Sequence, residues 1–171
     1  KSTGGNNPSP APVPGLFFAK GADVSWLTQM ENSGIKFYTS NGTEQECMQL
    51  LKTTGMNSIR LRVWVNPTNG WCNTADVVTK ATRAKNLGMK LLIDFHYSDS
   101  WADPGKQTKP AAWAGQDVAT LQTSVYNHTL SVMNALKTNG IAPDWVQVGN
   151  ETNDGMLWPE GKASVNMVNY A

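Results

Sequence analysis

The run Asp144-Trp145-Val146-Gln147-Val148-Gly149-Asn150-Glu151 reads as a short apolar strand that breaks off at a carboxylate. Open α/β folds and barrels keep their chemistry at the carboxyl ends of strands, so Glu151 is placed to act as a general acid or base. A lone Glu after a strand is usually a solvated loop residue. Here, three earlier strands also end in polar or aromatic clusters. In residues 58–65, Arg60, Arg62 and Trp64 alternate with Ile59, Leu61, Val63 and Val65. Arginines in an apolar strand are costly to bury unless paired. A structural ion pair with Asp94 is one reading of Arg60, and the positioning of an ionised catalytic carboxylate is another. The two are compatible. In residues 90–97, Asp94, His96 and Ser98 share one face, and Asp99, Trp101 and Asp103 come next. His96 suits a sugar hydroxyl or a carboxylate partner. His96 and His128 are the only histidines, so no metal site is expected. His128 falls on or beside a helical apolar stripe and reads as a hydrogen-bonded packing residue.

Six of the seven tryptophans, Trp26, Trp64, Trp71, Trp101, Trp113 and Trp158, fall at or just after expected strand ends, and Trp145 sits at a strand start. Any one of them could be core. Six on one rim suit the apolar C–H faces of sugar rings in an open groove. The connection 99–116 is long for a βα loop, which usually takes about 2–6 residues, and long loops on that face shape sites. No Gly-x-Ser-x-Gly elbow, phosphate loop or zinc-ligand spacing occurs. Asn41, Asn127 and Asn150 each open a glycosylation sequon; Asn150 is expected to point into the site and is discounted as an acceptor.

These residues need a scaffold, and the chain alternates strand and helix. Strands are expected at about 17–25, 58–65, 90–97 and 145–150. Thr43-x-x-Glu46 has the capping-box pattern for a helix that stops at Gly55. Thr74 opens a second helix, whose apolar positions run from Val77 to Leu87, and Asp117 opens a third that ends at Gly140. A fourth begins near Lys162. Four strand–helix repeats imply a parallel α/β sheet. A doubly wound sheet competes with a (β/α)8 barrel, of which four units are half. The absence of a Gly-rich loop after the first strand argues against a dinucleotide fold. The 171 residues suit one domain, 40% are apolar, and the net charge of +1 suggests no nucleic-acid or anionic-membrane partner. Residues 1–15 read as a disordered linker or tail, and 16–171 as the folded unit. Cys47 and Cys72 fall on the same face of such a sheet. A disulfide and two free thiols both remain open.

The runs 21–25, 58–67, 94–104, 107–110 and 149–159 together resemble glycoside hydrolase family 53, the arabinogalactan endo-β-1,4-galactanases. The resemblance implies a (β/α)8 barrel, with this chain supplying about the first four βα units. It implies endo-acting, retaining cleavage of β-1,4-galactan, a pectic side chain. Glu151 would be the acid/base. Asn150 would bind the sugar 2-hydroxyl, and Arg60 would lie near the nucleophile. His96, Asp99 and Trp101 would form the groove wall; Asp23 and Trp158 fall at rim positions. The family's nucleophile is a second Glu on strand seven, expected beyond residue 171. The segment alone would then be inactive, with strands one and four as exposed edges. The implied partner is a polysaccharide, with no nucleic acid and no membrane span. No cofactor is implied for this segment, although a structural calcium would fit the remaining half. The implied location is secreted or extracytoplasmic, with surface attachment through the N-terminal linker left open. Alternatives are a retaining glycosidase on another β-1,4-glycan, or a non-catalytic carbohydrate-binding barrel.

Overall fold

The computed structural model describes residues 17–171; the expected tail over 1–15 lies outside them. Four strands, β1 (Gly21–Asp23), β2 (Ser58–Val63), β3 (Lys90–Phe95) and β4 (Trp145–Val148), form one sheet. All neighbours are parallel and the order is β1-β2-β3-β4. Five α-helices connect or succeed them: α1 (Leu27–Asn32), α2 (Cys47–Thr53), α3 (Thr74–Asn86), α4 (Val118–Thr138) and α5 (Met167–Tyr170).

The two faces of the sheet differ as the alternation of residues dictates. Ile59, Leu61, Val63, Leu91, Ile93 and Phe95 point to the helices and are buried against Val77, Ala81, Ala84, Leu121, Val132 and Leu136. Burial of each large side chain contributes about 1.5–3 kcal/mol. The opposite face carries Arg60, Arg62, Asp94 and His96, which is the face the site needs.

Every strand is shorter than the stretch expected for it from the sequence. The chain leaves the ladder early at each carboxyl end, and the backbone beyond it bends to present side chains. Tyr97 and Glu151 both take φ +50°, as do few residues other than glycine. Gly149 has φ +82°, and a Cβ there would meet Thr152 Cγ2 at 2.6 Å, so the turn before Asn150 needs glycine.

The helix starts hold with two exceptions, at α2 and near Lys162. Asp117 accepts from Thr120 N at 2.9 Å to cap α4. Asn73 caps α3 by accepting from Asp76 N at 2.9 Å, one residue before Thr74. For α2 the cap is Glu46, whose carboxylate accepts from Gln49 N at 2.6 Å. Thr43 is instead held in an exposed turn, where Thr39 N donates to Thr43 O at 2.9 Å. Near Lys162 the expected helix gives way to turns, because Asp154 accepts from Ser164 N and Oγ at 2.6 and 2.8 Å. Only Met167–Tyr170 is helical there.

Candidate active site

Arg60 organises the carboxyl ends of all four strands. Its Nη1 donates to Asp23 Oδ2 at 2.6 Å, on β1. Its Nη2 donates to Asp94 Oδ2 at 2.6 Å, on β3, and to Asn150 Oδ1 at 2.9 Å, just past β4. A longer contact at 3.3 Å reaches Gln147 Oε1. Asp94 is fully buried, so the cation beside it is what makes its ionised form tolerable there. Burial works against ionisation of Asp23, but bonds from Ser25 and Arg60 outweigh it and hold its carboxyl below the usual range.

The second partner of Asp94 is His96, with Nε2 at 3.0 Å. Its other nitrogen, Nδ1, accepts from Trp64 Nε1 at 3.3 Å and from Ala102 N at 3.2 Å. Both are donors only, so the ring proton lies on Nε2 and is donated to Asp94. His96 is therefore locked in tautomer and orientation.

Asn150 is equally fixed. Its Nδ2 donates to Ala102 O at 2.7 Å while Oδ1 faces Arg60, which leaves one Nδ2–H uncommitted. The next residue is the carboxylate. Glu151 is exposed, and its backbone carbonyl accepts from Gln107 Nε2 at 3.3 Å and from Asn153 N at 2.9 Å. The rigid part of this strand end is thus Asn150, and the solvent-facing part is Glu151.

Trp101 closes the side of His96, with ring centroids 5.8 Å apart. It meets Trp26 edge-on at 5.9 Å, and both indoles are exposed. They line a cavity of about 400 Å³ with Asp23, Arg60 and Arg62. A larger cavity of about 420 Å³ lies on the helix side of β4, lined by Leu121, Val125, Val148 and Tyr170, and none of the residues of the Arg60 network line it. The expected rim of six indoles divides. Trp64 and Trp113 are buried, Trp71 and Trp158 are half-buried, and Trp26 and Trp101 face solvent.

Two other site residues, Asp99 and Trp158, and the packing residue His128 behave differently from expectation. Both carboxylate oxygens of Asp99 accept backbone amides, from Asn66 at 2.9 Å and from Ala111 at 2.8 Å, so Asp99 pins two loops together. Trp158 anchors its own loop, donating Nε1 to Asp154 O at 2.8 Å, and it makes no bond to the Arg60 network. His128 is not hydrogen-bonded through Nε2; it packs edge-on against Phe95, Tyr97 and Trp113. Cys47 and Cys72 are buried free thiols, so the disulfide is not formed. Burial pushes the pKa of both upward, which keeps them as unreactive thiols.

Residue types alone did not mark three supporting groups. Buried Gln107 donates to Asn150 O at 2.8 Å and to Asp103 O at 3.1 Å, tying the long loop to the β4 end. Gln147 bonds Gly149 O at 3.0 Å. Lys80 has no exposed surface and bridges Asp76 at 2.5 Å and Ser25 O at 2.7 Å, bracing the loop that follows Asp23. Position would have found Gln147, which shares the strand face of Trp145. For Lys80 the helical spacing from Val77 and Ala84 was the available signal.

Parallel βα units with an arginine-held Asn-Glu pair and an indole wall at their carboxyl ends define a protein of the (β/α)8 glycoside-hydrolase class, of which this chain carries four units. The chain belongs to glycosyl hydrolase family 53, whose model matches residues 19–171. It is 45% identical over 152 residues to a probable arabinogalactan endo-β-1,4-galactanase A of Aspergillus fumigatus, covering 89% of this chain and 42% of that one. One of two fungal β-1,4-galactanase structures superposes with a TM-score of 0.86 at 41% identity. The family 53 catalytic domain of Ignisphaera aggregans does so with 0.83 at 42%. Each alignment covers 91% of this chain and 46% of the other. The chain thus spans under half the length of these relatives.

Proposed function

We propose that these residues form the acid/base half of an endo-acting, retaining glycoside hydrolase that cleaves β-1,4-galactan. The reading rests on one observation above the rest. Arg60 holds Asn150 rigidly while the adjoining Glu151 stands in solvent at a strained φ of +50°. Strain of that kind persists where the surroundings over-determine it, and such places cluster at functional sites.

In this mechanism Glu151, protonated, donates to the leaving glycosidic oxygen. A second carboxylate attacks the anomeric carbon. Glu151 then takes a proton from the water that releases the sugar. Asn150 offers its free Nδ2–H to a sugar hydroxyl, a bond that tightens in the transition state. Trp101 and Trp26 stack against sugar rings. Retention needs the two carboxyl groups about 5–5.5 Å apart. Glu160 does not serve, because it is tied to Lys109 at 2.5 Å and lines the cavity on the helix side of β4, away from the Arg60 network. Under the family 53 resemblance, the nucleophile would be the Glu of strand seven, in the part of the family barrel that these 171 residues do not contain. Galactan side chains of pectin are the substrate under this reading, and a secreted or extracytoplasmic location agrees with the size of that substrate.

The test is Glu151→Gln in the intact enzyme. It should lower galactan hydrolysis by about 10²-fold or more while leaving the melting temperature close to that of the parent. Normal rates in the variant would remove Glu151 from the mechanism.

A further inference from the structure

Arg62 stands two residues from Arg60 on the same sheet face, yet it forms no ion pair among the described residues and is only 3% exposed. Its register partner is Asp94, but that carboxylate is already engaged by Arg60 and His96. The Nε and Nη2 atoms of Arg62 have no hydrogen-bond partner among the described residues. The guanidinium lies instead among three indoles, with the Cys72 thiol also beside it. Its Cζ lies 4.1 Å from the ring centroid of Trp101, 4.8 Å from Trp64 and 5.3 Å from Trp26.

A buried cation without a carboxylate is costly, and an apolar side chain would fill the same space more cheaply. The unpaired nitrogens are also hidden from solvent, so no dissolved anion reaches them. The property specific to arginine is a flat, charged plate that several ring faces can grip at once. Two of the gripped rings, Trp26 and Trp101, are 51% and 43% exposed. They meet at 83°, and Trp101 meets Trp64 at 76°. The third ring, Trp64, donates to His96.

We infer that Arg62 is the positioning residue of the indole wall, fixing the angle at which Trp101 and Trp26 meet a sugar and, through Trp64, the seating of the His96 ring. This rests on the sugar-binding reading above only for what the wall binds. That Arg62 sets the wall's geometry stands independently.

The two parts are separable by experiment. Indoles this close couple excitonically, and their far-ultraviolet circular dichroism couplet reports their mutual angle whether or not any sugar binds. Trp101→Phe assigns the couplet. In Arg62→Met, which keeps the stem and loses the charged plate, the couplet should shrink by half or more. The affinity for a β-1,4-galacto-oligosaccharide, read by tryptophan fluorescence, should fall about tenfold, the order expected for loss of desolvated cation–π contacts. Arg62→Lys keeps the charge without the plane and should recover less than half of the couplet. A folded Arg62→Met with unchanged couplet overturns the inference. If Arg62→Met does not fold, Arg62→Lys decides: a full couplet there overturns it, and a reduced one supports it. A parent chain that shows the couplet but whose sugar response is unaffected by Trp101→Ala would sink the sugar reading and leave the role of Arg62 in place.

Discussion

Glu151 shows how a single residue can trade stability for placement. A side chain at positive φ carries about 1 kcal/mol of backbone strain that glycine does not. Glu151→Gly should therefore raise stability by about 0.5–1 kcal/mol in urea unfolding, even as it deletes the proposed acid. A loss of stability would mean that the carboxylate makes a compensating contact. His128 makes a different prediction at the same scale. Burial among Phe95, Tyr97 and Trp113 disfavours its charged form and lowers its pKa below the usual value of 6.5, with the charge of Asp99 opposing only in part. Between that lowered value and 6.5 the unfolded chain binds more protons than the folded one. Stability must fall as the pH drops through this window. His128→Phe should flatten this fall when melting temperatures are compared at neutral and mildly acid pH. An unchanged pH profile would show that His128 binds protons alike in the folded and unfolded chain, against the lowered pKa.

At the scale of elements, local rules worked where their signals were local. Asp117 and the turn at Asn73-Thr74 mark helix starts because a short polar side chain caps the amides three residues on. The pattern Thr43-x-x-Glu46 misplaced the start of α2 by three residues, because Thr43 is bound into the turn with Thr39 and the Glu46 carboxylate takes the capping role itself. Glu46→Ala should cost about 1 kcal/mol through the lost cap, whereas Thr43→Ala should stay within about 0.5 kcal/mol. Thermal unfolding of the two variants compares them directly. Arg83 links the same helix to its neighbours, making a bidentate contact at 2.8 and 2.7 Å with Glu31 on α1 and a further pair with Glu46. The six-residue α1 was not legible, since so short a helix has no periodicity to read. Strand ends were overrun for the opposite reason. The apolar runs continue past the ladder, and the loops beyond it pull the chain away.

For the whole molecule the unequal edges matter most. On β4, Val146 and Val148 are 43% and 62% exposed on the helix side, and the outer edges of β1 and β4 have no strand neighbours among the described residues. Such a surface should drive the 171-residue chain to self-associate as concentration rises. Val148→Lys should weaken that association in sedimentation velocity, and a concentration-independent monomer in the parent chain would refute the expectation. The sequence by itself determined the alternation of strand and helix, the parallel arrangement and the gathering of Arg60, His96, Trp101 and Asn150 at strand ends, because these arise from periodicity and caps a few residues long, whereas the place of Asp23 came from the family resemblance. It singled out Arg60 as a partner of Asp94 but gave no surroundings for Arg62. Both share a residue type, a strand and a face, yet one sits among carboxylates and an amide and the other among indoles. Nor did it separate Trp101 from buried Trp113, or decide that Asp99 would pin loops. Past the last ladder bond a side chain's direction is set by how distant loops close over it, and only the assembled fold supplies those neighbours.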